Sequence, residues 1–278
     1  MQMLALTDHP PGAGAPCARP ASSVPATGHV RRSPAPEVPP TPPELRCYFK
    51  SRARLRRAVW DSGGMDLQEA VDNFDRAMNH CDNIVLVHRR NRAKEPGRRY
   101  QETSLDRGVV VLAVAAWQAA AQDMTTAILD TARPPASQPL DRARFDASVG
   151  HARKAIGDFS TPNAANTRRL MVGAGFDPRP YWTWTASGGR GRTRVDWMPE
   201  QADTRLDEWL KVRHAIAHGH DLLPVVNALQ SVRIGKVTSN PTIRLVDAEQ
   251  CASFLIRLVR LTANAVASHL GTSVTILR

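Results

Sequence analysis

The sequence predicts an all-α protein: an antiparallel helical bundle with one small irregular or hairpin insertion and a disordered N-terminal tail. From Met65 onward, apolar residues recur at intervals of three and four, which is the spacing of an amphipathic helix. Residues 104–131 are apolar on nearly every side, as is typical of a helix in the middle of a bundle. Apolar residues make up 42% of the chain and charged residues 23%, which suits a globular protein. We therefore expect one helical domain over residues 65–278.

The periodicity and the turn residues place the elements in order. Helices are expected over residues 66–90, 104–131, 140–157, a short segment from 161–163 to 173–175, 200–218 and 247–270. Residues 176–199 are expected to form a loop, and residues 231–246 a hairpin. Ser104 and Asp247 are the expected N-caps of two helices, and Gly271 is expected to close the last one.

Residues 1–64 differ in composition from the rest of the chain. The first 45 residues hold 11 of the 21 prolines and almost no large apolar side chains. Such a segment cannot bury enough apolar surface to offset the entropy of ordering it, so we expect a disordered tail. Met65 follows a Ser-Gly-Gly break and begins the first helical pattern, so an alternative is that translation starts at Met65.

The formal net charge is +11, from 37 Lys and Arg against 26 Asp and Glu. An excess of this size favours a polyanionic partner, either nucleic acid or an anionic membrane surface. The tail carries nine cationic and four anionic residues, and the remaining 214 residues carry 28 and 22. The domain itself is therefore only mildly basic, and its charge permits RNA binding without indicating it.

Cysteine spacing and hydropathy favour a cytoplasmic protein that does not associate with membranes. The four cysteines, at positions 17, 47, 81 and 251, form no C-x-x-C motif, so we expect reduced thiols. The N-terminus lacks the basic and apolar regions of a signal peptide. The longest apolar stretch, residues 108–121, is shorter than the roughly 20 residues of a membrane span.

The most informative motif is the string RHAIAHG, in which Arg213 and His218 stand five residues apart just before Gly219. Five residues turn a helix by about 140° beyond one full turn, so Arg213 and His218 flank a face. His214 lies four residues before His218, so these two side chains share a face. The motif is expected at the C-terminal end of a helix.

In this motif the chain resembles the HEPN superfamily, whose signature is an Arg followed by His four to six residues later. Residues 113–124 (AVAAWQAAAQDM) and 161–176 (TPNAANTRRLMVGAGF) are similar to the central and following helices of its RiboL-PSP-HEPN branch. The resemblance covers residues 65–270. The central helix departs from the pattern, because Gln118, Ala120 and Gln122 stand where relatives often carry acidic or aromatic residues, although Asp123 is retained.

The resemblance implies a metal-independent endoribonuclease that acts as a homodimer and needs no cofactor. A planar Arg binds phosphate in two places, and His transfers protons near neutral pH. RNA supplies its own nucleophile, the 2′-OH, and the product would be a 2′,3′-cyclic phosphate. His218 is the expected acid–base residue, Arg213 the phosphate ligand and His214 an auxiliary residue. Such a protein would be a toxin or defence effector, with an antitoxin or regulatory protein as a further partner.

Three alternatives stay open at this point. The protein could be a non-catalytic HEPN-like module that binds RNA, nucleotide or protein. His214, His218, His220 and Asp221 could form a metal site, since His pairs four residues apart on a helix can bind zinc. Arg213 could instead pair with Asp207 or Glu208 on its own helix, which would make the motif purely structural.

Further residues are candidates for RNA contact. The 176–199 segment holds Trp182 and Trp184 on one side of Gly188-Gly189 and Arg190 and Arg192 on the other, a mixture that can stack on and clamp single-stranded RNA. The competing interpretation is that these tryptophans pack the segment onto the core. Arg168 and Arg169 form a second candidate basic patch, which a solvated helix face would explain equally well.

Overall fold

A computed structural model of the chain describes residues 64–90, 100–186, 194–236 and 239–276. The helices are α1 (Leu67–Arg90), α2 (Tyr100–Thr131), α3 (Pro139–Ser148), α4 (Gly150–Gly157), α5 (Ala164–Val172), α6 (Pro199–Ala217), α7 (Gln230–Arg233) and α8 (Leu245–Leu270). A 3₁₀ turn covers Arg179–Tyr181, and two short strands cover Trp184–Ala186 (β1) and Val195–Trp197 (β2). The prediction of an all-α protein is confirmed. The expected disordered tail lies outside the described residues.

The ends of α1 show how it packs on α2. At its start, the backbone N–H of Met65 donates to Asp130 Oδ2 at 2.9 Å, near the end of α2. At its other end, His88 Nδ1 lies 2.7 Å from Asp106 Oδ1, in the first turns of α2. Arg89 also pairs with Glu249, near the start of α8, at 2.6 Å. Helices α1 and α2 are therefore antiparallel, and α8 begins at the end of the bundle where α1 finishes.

Helix α2 lies in the centre of the core. It contacts α1, α8 and α6, and Trp117 at its middle is fully buried, with Nε1 donating to the carbonyl of Pro162 at 3.1 Å. This central position explains why the sequence of the helix is apolar on nearly every side. The expected start at Ser104 is wrong, because the helix begins at Tyr100 and Ser104 lies inside it.

The remaining helix ends include both expected and unexpected caps. Asn163 caps α5, since its side-chain oxygen accepts from the N–H of Asn166 at 2.7 Å. Asp247 is not the N-cap residue of α8; it lies in the first turn and accepts from the N–H groups of Arg244 and Gln230 at 3.0 and 2.7 Å. Gly271 closes α8 in the left-handed region, at φ +66°, as predicted.

The expected helix over residues 140–157 is two helices that meet at Val149. The Ser148 hydroxyl donates to the carbonyl of Phe145 at 2.7 Å. Gly150 follows, and glycine is a weak helix former, so the sequence supports a break at this point.

The hairpin forms in a different segment from the one expected. β1 and β2 pair antiparallel with Trp184 opposite Trp197, within the 176–199 segment that was expected to be a loop. The indole rings of that pair stack at 4.8 Å between centroids. In residues 231–246, by contrast, the described part holds the end of α7, a left-handed Gly235 at φ +67° and irregular chain. The stacked tryptophans supply a cross-strand contact, and the sequence of residues 231–246 contains no aromatic residue that could form one.

Two helical stretches, Gln101–Thr131 and Leu245–Leu270, are long and apolar enough to cross a membrane by length and composition alone. About half of the most apolar window in each is buried inside the bundle, at 50% and 56%. Core helices of water-soluble bundles have the same composition, so the absence of a membrane stays a prediction. Cys81 and Cys251, the cysteines within the described ranges, are buried in the core and form no disulfide.

Candidate functional site

The C-terminal end of α6 carries the predicted motif. Pro199 begins the helix, and the Gln201 side chain accepts from the N–H of Met198 at 2.8 Å. Leu206 and Trp209 are fully buried and fix one face of the helix against the core. Arg213 lies four residues after Trp209 and seven after Leu206, so it continues this face at the C-terminal end of the helix. Arg213 and His214 are both half-buried there.

A left-handed glycine ends the helix and folds the chain back on it. His218 is the C-cap residue, and Gly219 follows at φ +67°. The N–H of Gly219 donates to the carbonyl of Ile216 at 3.1 Å, and the N–H of His220 to that of Ala215 at 2.9 Å. These two bonds form a Schellman motif, which brings His220 back beside the last helical turn.

Three imidazole rings lie side by side as a result. The ring centroids of His214 and His218 are 6.3 Å apart, which agrees with the predicted shared face. The rings of His218 and His220 are 5.9 Å apart and inclined by 30°. His218 and His220 are exposed, whereas His214 is half-buried. The three residues together are called the histidine row below.

Arg213 is half-buried beside this row and has no acidic partner. Its Nε is buried without a hydrogen-bond acceptor, and its guanidinium forms no ion pair among the described residues. Asp207 instead accepts from the N–H of Ala164 at 3.0 Å. Glu208 lies 3.2 Å from Arg205 Nε and accepts from the N–H of Asn227 at 3.0 Å. The alternative in which Asp207 or Glu208 pairs with Arg213 is therefore wrong.

The histidine row is electrostatically linked to Arg213. Burial lowers the pKa of His214, and the positive charges of Arg213 and of His218 lower it further. His214 is therefore shifted towards its neutral form, which can accept a proton or a hydrogen bond.

The metal-site alternative gains no support. Among the described residues, which include His214, His218, His220 and Asp221, no three His, Cys, Asp or Glu side chains form a group that could hold a metal ion.

The unusual glutamines of the central helix have structural partners. Gln118 Nε2 donates to the carbonyl of Phe159 at 2.8 Å, and Gln122 Nε2 donates to that of Ile156 at 2.6 Å. Ile156 lies in the last turn of α4 and Phe159 just beyond its end, where backbone carbonyls lack partners within the helix. A carboxylate at either position would face these oxygens with no proton to donate. Asp123 accepts from Asn73 Nδ2 at 3.1 Å and is buried towards α1.

The two candidate tryptophans pack within the protein. Trp182 is fully buried, and its Nε1 donates to Thr262 Oγ1 at 3.0 Å. No face of this indole is accessible to an RNA base, so its assignment to RNA binding is corrected to core packing. Trp184 is half-buried between Trp197 and the guanidinium of Arg257, which lies 5.9 Å from its ring centroid. Arg190 and Arg192 lie outside the described residues.

The candidate patch of Arg168 and Arg169 is separate from the histidine row. Arg168 binds both carboxylate oxygens of Asp177, and Arg169 donates to Asn166 Oδ1 at 3.2 Å. Arg168 also lies within electrostatic range of Arg179 and of Asp203, and Asp203 lies near the start of α6. Ten residues of helix separate Asp203 from Arg213, or about 15 Å. Of the predicted RNA-binding residues, Arg168 thus lies near the opposite end of α6 from the motif.

His220 is a site residue that the sequence pattern assigned only to the metal alternative. The signal for its position is Gly219, because a left-handed glycine directly after a helix indicates a Schellman turn and returns the next residue to the helix end. Comparison of the chain with protein-family models, with curated proteins and with solved structures finds no match. The HEPN resemblance therefore rests on the motifs quoted above.

Proposed function

We propose that this protein is a metal-independent endoribonuclease whose active site is the end of α6. The observation that carries the proposal is the guanidinium of Arg213, which forms no ion pair within the described part of the chain and lies next to the histidine row. An arginine without an acidic partner is poised to bind an anion, and phosphate matches its planar donors. The resemblance of RHAIAHG to the HEPN motif supports the same interpretation.

The chemistry uses the 2′-OH of RNA as nucleophile. His218 removes the 2′-OH proton, the 2′ oxygen attacks phosphorus and the bond to the 5′ oxygen breaks. Arg213 stabilises the extra negative charge of the pentacoordinate phosphate. His214 is half-buried and lies between Arg213 and His218 in sequence, and it contacts the phosphate or a base. The products are a 2′,3′-cyclic phosphate and a free 5′-OH, and no cofactor takes part.

The proposal extends to fold family and partners. The domain over residues 65–278 is a HEPN-type bundle that assembles as a homodimer in the cytoplasm, with RNA as substrate and no membrane association. One Arg213–His218 motif per chain motivates the dimer. A toxin or defence role, controlled by an antitoxin or regulatory protein, fits an enzyme that cleaves RNA without a cofactor.

The decisive experiment is cleavage of total RNA by purified protein in EDTA. We expect cleavage by wild type and a loss of about 10²-fold or more in His218→Ala and in Arg213→Ala, because each removes a group acting on the transition state. His151→Ala and Arg144→Ala are matched controls, since both side chains are exposed and distant in sequence from the motif. Loss of activity in EDTA, or full activity in the two site variants, would overturn the proposal.

The alternative is a non-catalytic module that binds RNA, nucleotide or protein. The observation in its favour is the central helix, where Gln118 and Gln122 serve as structural donors and leave no carboxylate at those positions. A folded dimer that binds RNA through Arg213 and cleaves nothing would establish this alternative.

A further inference from the structure

We infer that His220 is a second proton-transfer residue of the same active site. This inference rests on the proposed endoribonuclease activity and adds to it the group that protonates the leaving 5′ oxygen. In this scheme one chain supplies both the base, His218, and the acid, His220.

The Schellman turn gives His220 a defined position. The His220 N–H is held by the carbonyl of Ala215 at 2.9 Å, and Gly219 supplies the left-handed φ of +67° that the turn requires. The His220 ring is therefore placed against that of His218 by two backbone bonds at the end of a rigid helix. Both rings are exposed and open to a polymeric substrate.

The distance between the His218 and His220 rings suits in-line phosphoryl transfer. The attacking 2′ oxygen and the leaving 5′ oxygen lie on opposite sides of phosphorus, so the base and the acid must be separate groups. Each must come within about 2.6–3.2 Å of its own oxygen. Two rings with centroids 5.9 Å apart can bracket one phosphate in this way.

His214 suits the second role less well. Its ring is half-buried, and it follows Arg213 directly in sequence. The charge of Arg213 favours its neutral form, whereas the acid must carry a proton when the substrate binds.

His218 and His220 together account for both proton transfers of the reaction. His218 accepts the proton of the 2′-OH as the bond from the 2′ oxygen to phosphorus forms. Protonated His220 gives its proton to the 5′ oxygen as the bond from phosphorus to that oxygen breaks. The two imidazoles then exchange a proton with water, directly or in turn, and return to their starting states.

The test compares two substrates that differ in the leaving group. In a dinucleotide the leaving group is a 5′-alkoxide, which needs an acid to protonate it. In a nucleoside 3′-(4-nitrophenyl phosphate) the leaving group is a stable phenolate, which does not. We expect His220→Ala to lose about 10²-fold or more on the dinucleotide and less than about 10-fold on the aryl ester. His218→Ala should lose activity on both. The alkaline limb of the pH–rate profile should disappear in His220→Ala alone.

Gly219→Ala provides a second, independent variant. An alanine side chain at φ +67° strains the backbone of the turn. Because the space around residue 219 is open, the added methyl group clashes with no neighbour, and backbone strain is the only expected effect. We expect the same substrate selectivity as for His220→Ala, measured on protein whose melting curve shows one cooperative transition.

The outcomes separate the inference from the proposed function. If wild type cleaves and His220→Ala matches it on the dinucleotide, the role of His220 is refuted and the endoribonuclease proposal stands. Equal losses on the two substrates would also refute proton donation. Wild-type protein that cleaves neither substrate would refute the proposed function, and the inference with it.

Discussion

Asp207 Oδ1 lies 3.0 Å from the backbone nitrogen of Ala164, and this bond ties the middle of α6 to the first turn of α5. The first N–H groups of a helix have no partner within it, so the carboxylate satisfies one of them and complements the helix dipole. The same bond engages the carboxylate that stands six residues before Arg213. The packing of α5 on α6 thus gives this carboxylate a partner other than Arg213.

Asp207→Ala is expected to destabilise the protein. Loss of a side-chain acceptor at a helix N-terminus costs about 0.5–2 kcal/mol in the free energy of unfolding. Asp207→Asn keeps an oxygen acceptor and should cost less. Urea unfolding at neutral pH measures both, and an Asp207→Ala variant as stable as wild type would show that the bond does not contribute.

The pKa of His214 is expected to report the position of Arg213. Because the positive charge of Arg213 lowers that pKa, Arg213→Gln should raise it. His218→Ala should also raise it, since His218 is a weaker contributor of the same sign. An NMR titration of the imidazole resonances measures the shift, with Arg144→Gln as the control that leaves it unchanged. A His214 pKa unaltered in Arg213→Gln would contradict the arrangement described here.

The parts of this fold that were predictable depend on local sequence. Three-and-four spacing of apolar residues places α1, α6 and α8 within a few residues of their observed ends. The alignment of His214 with His218 also follows from helical geometry alone, and the ring distance of 6.3 Å agrees with it. Both features need only the period of the α-helix.

The parts that could not be predicted depend on contacts between distant segments. Turn residues occur in both the 176–199 and 231–246 segments, and the choice of hairpin follows from stacking of Trp184 on Trp197 beside Phe254 of α8. The bond from the N–H of Ala164 to Asp207 likewise joins residues 43 positions apart in sequence. Neither partner is visible in a local pattern.

The role of Gln122 also depends on a contact between distant segments, because its partner is a backbone carbonyl of α4. Gln122→Glu is expected to destabilise the protein by about 1–3 kcal/mol at pH 7, because it replaces the donor to Ile156 with a negatively charged acceptor. A protonated Glu has an O–H that can donate to the same carbonyl, so the cost should shrink as the pH falls below about 5. Gln122→Ala, which has no titrating group, is the control for urea unfolding at both pH values.

The buried pair of His88 and Asp106 predicts a pH dependence of stability. Burial raises the pKa of Asp106 to about 6, against its ordinary 3.8, and the attraction of His88 offsets this only in part. The negative charges of Glu102 and Asp247 raise it further. Between pH 4 and 6 the folded state therefore holds a proton that the unfolded chain has released. The stabilising effect of that proton is complete below about pH 4 and is lost as the pH rises through 6.

Asp106→Asn cannot titrate, so the free energy of unfolding of wild type relative to this variant should fall between pH 4 and 6 and level off above. Urea unfolding at several pH values measures that difference. Asp177→Asn is the control of opposite sign, because the hydrogen bond from the Arg168 side chain lowers the pKa of Asp177. The stabilisation that ionised Asp177 provides is therefore lost as the pH falls below about 4. A difference between wild type and Asp106→Asn that stays constant from pH 4 to 7 would show that Asp106 ionises in the folded protein as it does in the unfolded chain.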